Sequence, residues 1–70
     1  MINNAIEKFR VNCDNSKNYV IYYKMISKAG KPLYYYYTAT YNRHDILIYS
    51  PERRVNENAY NFAKRFGQMF

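Results

Sequence analysis

The sequence predicts a small α+β domain, in which a three-stranded antiparallel sheet carries two helices on one face in the order α-β-β-β-α. Two segments in the middle of the chain, 19–28 and 33–41, are dominated by aromatic and β-branched residues, as strands are. Apolar residues recur at helical spacing near both ends. An apolar sheet face needs helices to cover it. We expect residues 1–70 to form a single domain.

The first predicted helix covers residues 2–11. Its apolar positions form one stripe at helical spacing, made by Ile2, Ala5, Ile6 and Phe9. The segment 12–18 is dense in turn-forming residues and is expected to end this helix.

Three strands are predicted to follow. The first two, 19–28 and 33–41, are joined by a hairpin connection at 29–32, which contains Gly and Pro. The third strand, 46–49, follows a polar turn at 42–45.

The second predicted helix covers residues 51–66. Ser50 is expected to cap it, Pro51 to occupy its first position and Gly67 to end it. The predicted core-facing stripe consists of Val55, Ala59, Phe62, Ala63 and Phe66. The opposite side carries Tyr60, Asn61 and the cations Arg53, Arg54, Lys64 and Arg65.

Residue parity divides the strands into two faces. Ile21 and Tyr23 share the predicted core face, whereas Tyr22, Lys24 and Lys28 share the face predicted to meet solvent. An odd hairpin loop places Tyr34 and Tyr36 on the solvent face, and an even loop places Tyr35 and Tyr37 there instead. The sequence leaves both open, although the odd loop keeps both lysines out of the core.

Charge and size restrict the class of function. Eleven Lys and Arg against five Asp and Glu give a net charge of +6, which favours an anionic partner. The chain has no phosphate-binding glycine loop, and His44 beside Asp45 is best explained as an ordinary turn. One cysteine, Cys13, permits no internal disulfide and fits a reducing cytoplasm. We expect a non-catalytic protein with no cofactor, metal, membrane or small-molecule substrate.

Two candidate binding surfaces emerge. The first is the tyrosine-rich sheet face, formed by Tyr22, Lys24, Lys28, Tyr34, Tyr36 and Tyr49. Aromatic platforms with cations suit single-stranded nucleic acid, tyrosines also anchor protein interfaces, and exposed sheets form tyrosine pairs for packing alone. The second surface is the basic helix side of Arg53, Arg54, Lys64 and Arg65, which could bind phosphates or be merely solvated.

Composition also suggests a source. Phe, Tyr, Met, Ile, Asn and Lys make up 38 of 70 residues, which points to an AT-rich gene, and a short basic chain of this kind suggests a phage or mobile element, acting in the host cytoplasm. The predicted element order resembles that of some small phage-encoded anti-CRISPR inhibitors. A three-stranded sheet with a C-terminal helix is similar to DNA-binding domains of some phage integrases and plant transcription factors.

The leading hypothesis is nucleic-acid binding. The alternatives are an anti-CRISPR-like inhibitor that binds a host nucleic-acid-handling protein, and a homodimer through the outer sheet face.

Overall fold

The chain folds into a mostly antiparallel sheet with one helix. The structure is a computed structural model that describes residues 5–13 and 17–69, with the backbone alone for Gln68 and Met69. The predicted α+β class is confirmed, but the predicted number of strands and helices is wrong. The elements of the described residues are β1 Ala5–Asn12, β2 Tyr19–Ile26, β3 Pro32–Tyr41, β4 Leu47–Tyr49, β5 Arg53–Arg54, α1 Glu57–Lys64 and β6 Gln68–Met69.

The strands form one sheet in the order β4-β3-β2-β1-β6, and β5 also pairs with β3. Tyr35 and Tyr36 of β3 pair with β5 on one side and with β2 on the other. Strand β5 therefore lies on the same edge of β3 as β4. The chain reaches the opposite edge through α1, because β6 pairs with β1.

The predicted first helix is wrong, because most of its residues form β1. Strand β1 pairs antiparallel with β2 over nearly its whole length, with Phe9 opposite Tyr22 and Arg10 opposite Ile21. Charged and apolar residues alternate through the segment 8–11, which is the period of a strand. Residues 2–4 of the predicted helix lie outside the described residues.

The β2–β3 hairpin has an odd loop, residues 27–31, since Ile26 pairs with Pro32. Gly30 adopts a φ of 82°, a conformation that glycine supplies without steric cost. Its N–H donates to the carbonyl of Ser27 at 2.9 Å. The odd loop places Tyr34 and Tyr36 on the same face as Tyr22, as parity favoured.

The helix is shorter than predicted and begins at Glu57 instead of Pro51. Ser50 does not cap it, because its Oγ accepts from the N–H of Thr38 at 2.8 Å. The backbone between Ser50 and the start of α1 instead runs along the edge of β3 that faces away from β2. The cap is Asn56, whose Oδ1 accepts from the N–H of Ala59 at 2.7 Å.

Tyr60 anchors the helix to the sheet. It is 1% exposed, and its ring centroid lies 4.7 Å from that of Tyr34, 5.2 Å from Phe9 and 6.3 Å from Tyr22. The predicted stripe is therefore wrong for Ala59, Phe62 and Phe66, which are exposed, and Tyr60 occupies the core instead.

The helix also covers the opposite sheet face from the one predicted. Phe9, Tyr22, Lys24, Tyr34 and Tyr36 share one face by register, and Tyr60 packs on three of them. We call this the helix-covered face. The burial of Phe9 beneath Tyr60 determines which face the helix covers, because Phe9 is 0% exposed and shares a face with Tyr22.

Glu7 ties the helix to β1. Its carboxylate accepts from the Tyr60 hydroxyl and from Lys64 Nζ, each at 2.7 Å. The Lys64 hydrogen bond, followed by that of Tyr60, lowers the pKa of Glu7. Gly67 then brings the chain so close to the Phe9 ring that a Cβ at this position would overlap it.

Candidate functional site

The sheet face away from α1 carries most of the tyrosines, and we call it the open face. No helix of the described residues packs on it. By register, the open face contains Lys8, Arg10, Tyr19, Ile21, Tyr23, Tyr35, Tyr37, Ala39, Tyr41, Tyr49 and Arg54.

Tyrosine rings provide the cover that a helix supplies on the other face. Tyr23 is 3% exposed and stacks on Tyr35 with ring centroids 5.2 Å apart. Its hydroxyl donates to Glu52 at 2.6 Å. Ala39 is fully buried, and it pairs across the sheet with Tyr19 of β2 and Tyr49 of β4. Part of this tyrosine layer thus stabilises the fold, while its other rings remain partly accessible to solvent.

Three tyrosines of this face, Tyr19, Tyr23 and Tyr37, have a pKa raised above the ordinary value of tyrosine. Burial raises the pKa of Tyr23, and its hydrogen bond to Glu52 raises it further. Burial is also the main cause of the raised pKa of Tyr19 and of Tyr37. At neutral pH, the hydroxyl groups of these three tyrosines are therefore uncharged.

Cations lie against three of these rings. The guanidinium of Arg10 is 5.0 Å from the ring centroid of Tyr19, and that of Arg54 is 5.5 Å from Tyr35. Lys17 Nζ lies 5.5 Å from the ring of Tyr41. These distances are within the range of cation–π attraction.

The cations differ in their acidic partners. Lys17 forms an ion pair with Asp45 at 2.7 Å, and Lys64 forms one with Glu7. Within the described part of the chain, neither Arg10 nor Arg54 has a carboxylate within ion-pair distance. The open face therefore carries two guanidinium groups without an acidic partner among the described residues.

The structure separates the residues predicted to form one surface. Tyr49, which is 56% exposed, and Arg54 lie on the open face. Tyr22 and Tyr34 are partly or wholly buried beneath α1, so the prediction that they face solvent is wrong. Lys24 lies over the ring of Tyr34, with 5.7 Å between Nζ and the centroid.

The remaining predicted residues lie elsewhere. Tyr36 is half-buried on the helix-covered face, 5.9 Å from Tyr22 between ring centroids. Lys28 is exposed in the hairpin loop, Arg53 on β5 and Arg65 at the end of α1. The basic residues predicted on one helix side are thus separated. Arg53 and Arg54 lie on β5, whereas Lys64 lies on α1 and forms an ion pair with Glu7.

Sequence reasoning missed Lys8 and Arg10, which were assigned to a helix. It also placed Tyr35 and Tyr37 in a helix-covered core, although parity had separated them correctly from Tyr34 and Tyr36. The alternation in segment 8–11 was the signal that could have identified Lys8 and Arg10.

Comparison with protein-family models, curated proteins and solved structures finds no significant match for this chain. The observed element order, with five strands before the helix, also differs from the α-β-β-β-α order on which the predicted resemblance depended. Among the described residues, none of the helices has the length and apolar character needed to cross a membrane. The same residues contain no cluster of three or more His, Cys, Asp or Glu suited to a metal ion.

Proposed function

We propose that this chain is a non-catalytic nucleic-acid-binding protein and that the open face is its contact surface. The observation that carries the proposal is the combination of partly accessible tyrosine rings with Arg10 and Arg54 held against them. Aromatic rings stack on bases, and arginine binds phosphate.

Overall charge supports the same partner. The net charge of +6 attracts a polyanion, and the open face contributes Lys8, Arg10 and Arg54 against Glu52 at its edge. Glu52 already accepts a hydrogen bond from Tyr23, so part of its capacity is used within the protein. Arg10 and Arg54, which have no acidic partner among the described residues, therefore lie close to stacking platforms.

The test compares two variants that each remove two positive charges. Arg10→Gln with Arg54→Gln alters the open face, and Arg53→Gln with Arg65→Gln is the matched control away from it. Affinity for a labelled oligonucleotide is measured by fluorescence anisotropy over a series of salt concentrations. We expect the open-face variant to lose about 10-fold or more in affinity and to show a shallower salt dependence, because two phosphate contacts are lost.

Two results would contradict this proposal. One is an absence of oligonucleotide binding at low salt. The other is an equal loss in both variants, which would show that diffuse charge and not the open face drives binding.

A protein partner is the second candidate function. Tyrosine and arginine are enriched among residues that dominate protein interfaces, and the open face is rich in both. In this case the chain acts as a stoichiometric inhibitor of a host nucleic-acid-handling protein, as an anti-CRISPR protein does. Pull-down from a bacterial lysate with and without nuclease distinguishes the two, since a protein partner survives the nuclease.

Self-association is a third candidate, because Tyr49 and Ile48 on β4 are 56% and 49% exposed at one end of the sheet. Sedimentation of a monomer at high concentration would remove it. For all three functions we propose a phage or mobile-element source and a cytoplasmic location, where the exposed free thiol of Cys13 is kept reduced.

A further inference from the structure

We infer that the ligand of the open face is a single strand that crosses the β-strands, with phosphates near Arg10 and Arg54 and bases on the tyrosines between them. This inference rests on the proposed function and specifies its substrate class. It follows from the width of the sheet, the placement of the two arginines and the position of Tyr37.

Sheet width argues against a duplex. The strand order gives five positions across the sheet, from β4 and β5 to β6, which corresponds to about 19 Å at strand spacing. The major groove of B-DNA is about 12 Å wide and admits a helix or a two-stranded ribbon. A face of this width meets a duplex only at its phosphates, which leaves the tyrosine rings without bases to contact.

The two arginines lie on opposite sides of the tyrosine layer. Arg10 belongs to β1 and Arg54 to β5, with β2 and β3 between them, so their backbones are about 14 Å apart across the sheet. A flat sheet with aromatic residues stacks two or three bases of a single strand. The separation therefore fits a few nucleotides with a phosphate at each end.

Tyr37 is the ring best placed to stack a base. It lies on β3 between the two arginines, is half-buried, and has Tyr49 edge-on at 5.8 Å between ring centroids. Among the described residues, no cation lies over its ring, in contrast to Tyr19 and Tyr35. A base on Tyr37 would therefore not need to displace a guanidinium.

The experiment uses two neighbouring tyrosines that point to opposite faces of β3. Tyr37→Leu removes an aromatic ring from the open face and keeps apolar bulk, and Tyr36→Leu does the same on the helix-covered face. Both are half-buried, so thermal melts are used to confirm that each variant folds. The probes are a single strand of about 12 nucleotides, as DNA and as RNA, and the DNA duplex of the same length.

We expect the single strands to bind more tightly than the duplex, and Tyr37→Leu to weaken single-strand binding by about 5- to 160-fold, the loss of one stacked base. Tyr36→Leu should change this affinity less than 2-fold, and Tyr37→Phe, which keeps the ring and provides a folded alternative if Tyr37→Leu unfolds, should retain it.

The outcomes separate this inference from the proposed function. Equal binding of strand and duplex, with no effect of Tyr37→Leu, overturns the single-strand inference but leaves charge-driven nucleic-acid binding intact. A loss with Tyr36→Leu alone overturns the assignment to the open face. If none of the probes binds, the proposed function fails together with the inference.

Discussion

The burial of Tyr60 and the exposure of Phe62 predict very different losses of stability when these two aromatic residues of α1 are truncated. Tyr60 is 1% exposed and contacts three rings, whereas Phe62 is 62% exposed. Removal of a buried aromatic side chain costs about 3–5 kcal/mol. A domain of this size has a total stability of about 3–5 kcal/mol, so Tyr60→Ala should be largely unfolded.

Phe62→Ala should cost less than about 1 kcal/mol. Complete burial of such a side chain contributes about 1.5–3 kcal/mol, and only the minor part of Phe62 is shielded from water. The better helix propensity of alanine offsets part of that loss. The lost contact is chiefly the edge-on pair with Phe66, whose ring centroid lies 5.3 Å away.

The measurement is urea unfolding of both variants at neutral pH, followed by far-ultraviolet circular dichroism. Tyr60→Phe is the matched control, because it keeps the ring and removes only the hydrogen bond to Glu7, at a cost of about 1 kcal/mol. If Phe62→Ala destabilises the protein as much as Tyr60→Ala, the helix packs with the stripe that the sequence predicted, and the packing described above is wrong.

Three further predictions concern stability. Gly67→Ala should cost about 1–3 kcal/mol in urea unfolding, because its Cβ would overlap the ring of Phe9; a neutral result would contradict the close approach. Asn56→Ala should cost about 1 kcal/mol and Asn56→Asp much less, since only the first removes the helix cap; equal losses would contradict the capping role. Acidification should reduce stability as the pH falls below about 4.5, because the pKa of Glu7 is lower in the folded state than its ordinary value and its contribution is present only above that range. Glu7→Gln should flatten this acid limb by about 0.2–1 kcal/mol, and an unchanged limb in a pH series of melts would contradict the assignment.

Local sequence signals predicted the hairpin and its parity correctly. The run of aromatic and β-branched residues identified β2 and β3 to within two residues at each end. The preference for an odd loop, which kept Lys24 and Lys28 on one side, correctly placed Tyr22, Tyr34 and Tyr36 on the same face. Both features depend on neighbouring residues, so a sequence pattern suffices for them.

Two local patterns were ambiguous. Phe9 belongs both to an apolar stripe with helical spacing and to an alternating segment with strand spacing, and short apolar segments do not separate these periods. Ser50 and Pro51 satisfy the rules for a helix start, but the edge of β3 offers hydrogen-bond partners to this segment instead. In both cases pairing with a strand decided the local structure.

The sequence by itself determined the basic charge, the β2–β3 hairpin and the division of its tyrosines into two sets. Only the tertiary structure decided which set lies under the helix and which forms the open face. The reason is physical: both sets are apolar enough to be covered, so the choice depends on where a distant segment docks. The Tyr60–Glu7 hydrogen bond joins residues 53 positions apart, and the Phe9–Tyr60 ring contact lies beside it. No local pattern specifies such a contact, and it leaves Tyr37 on the open face between Arg10 and Arg54.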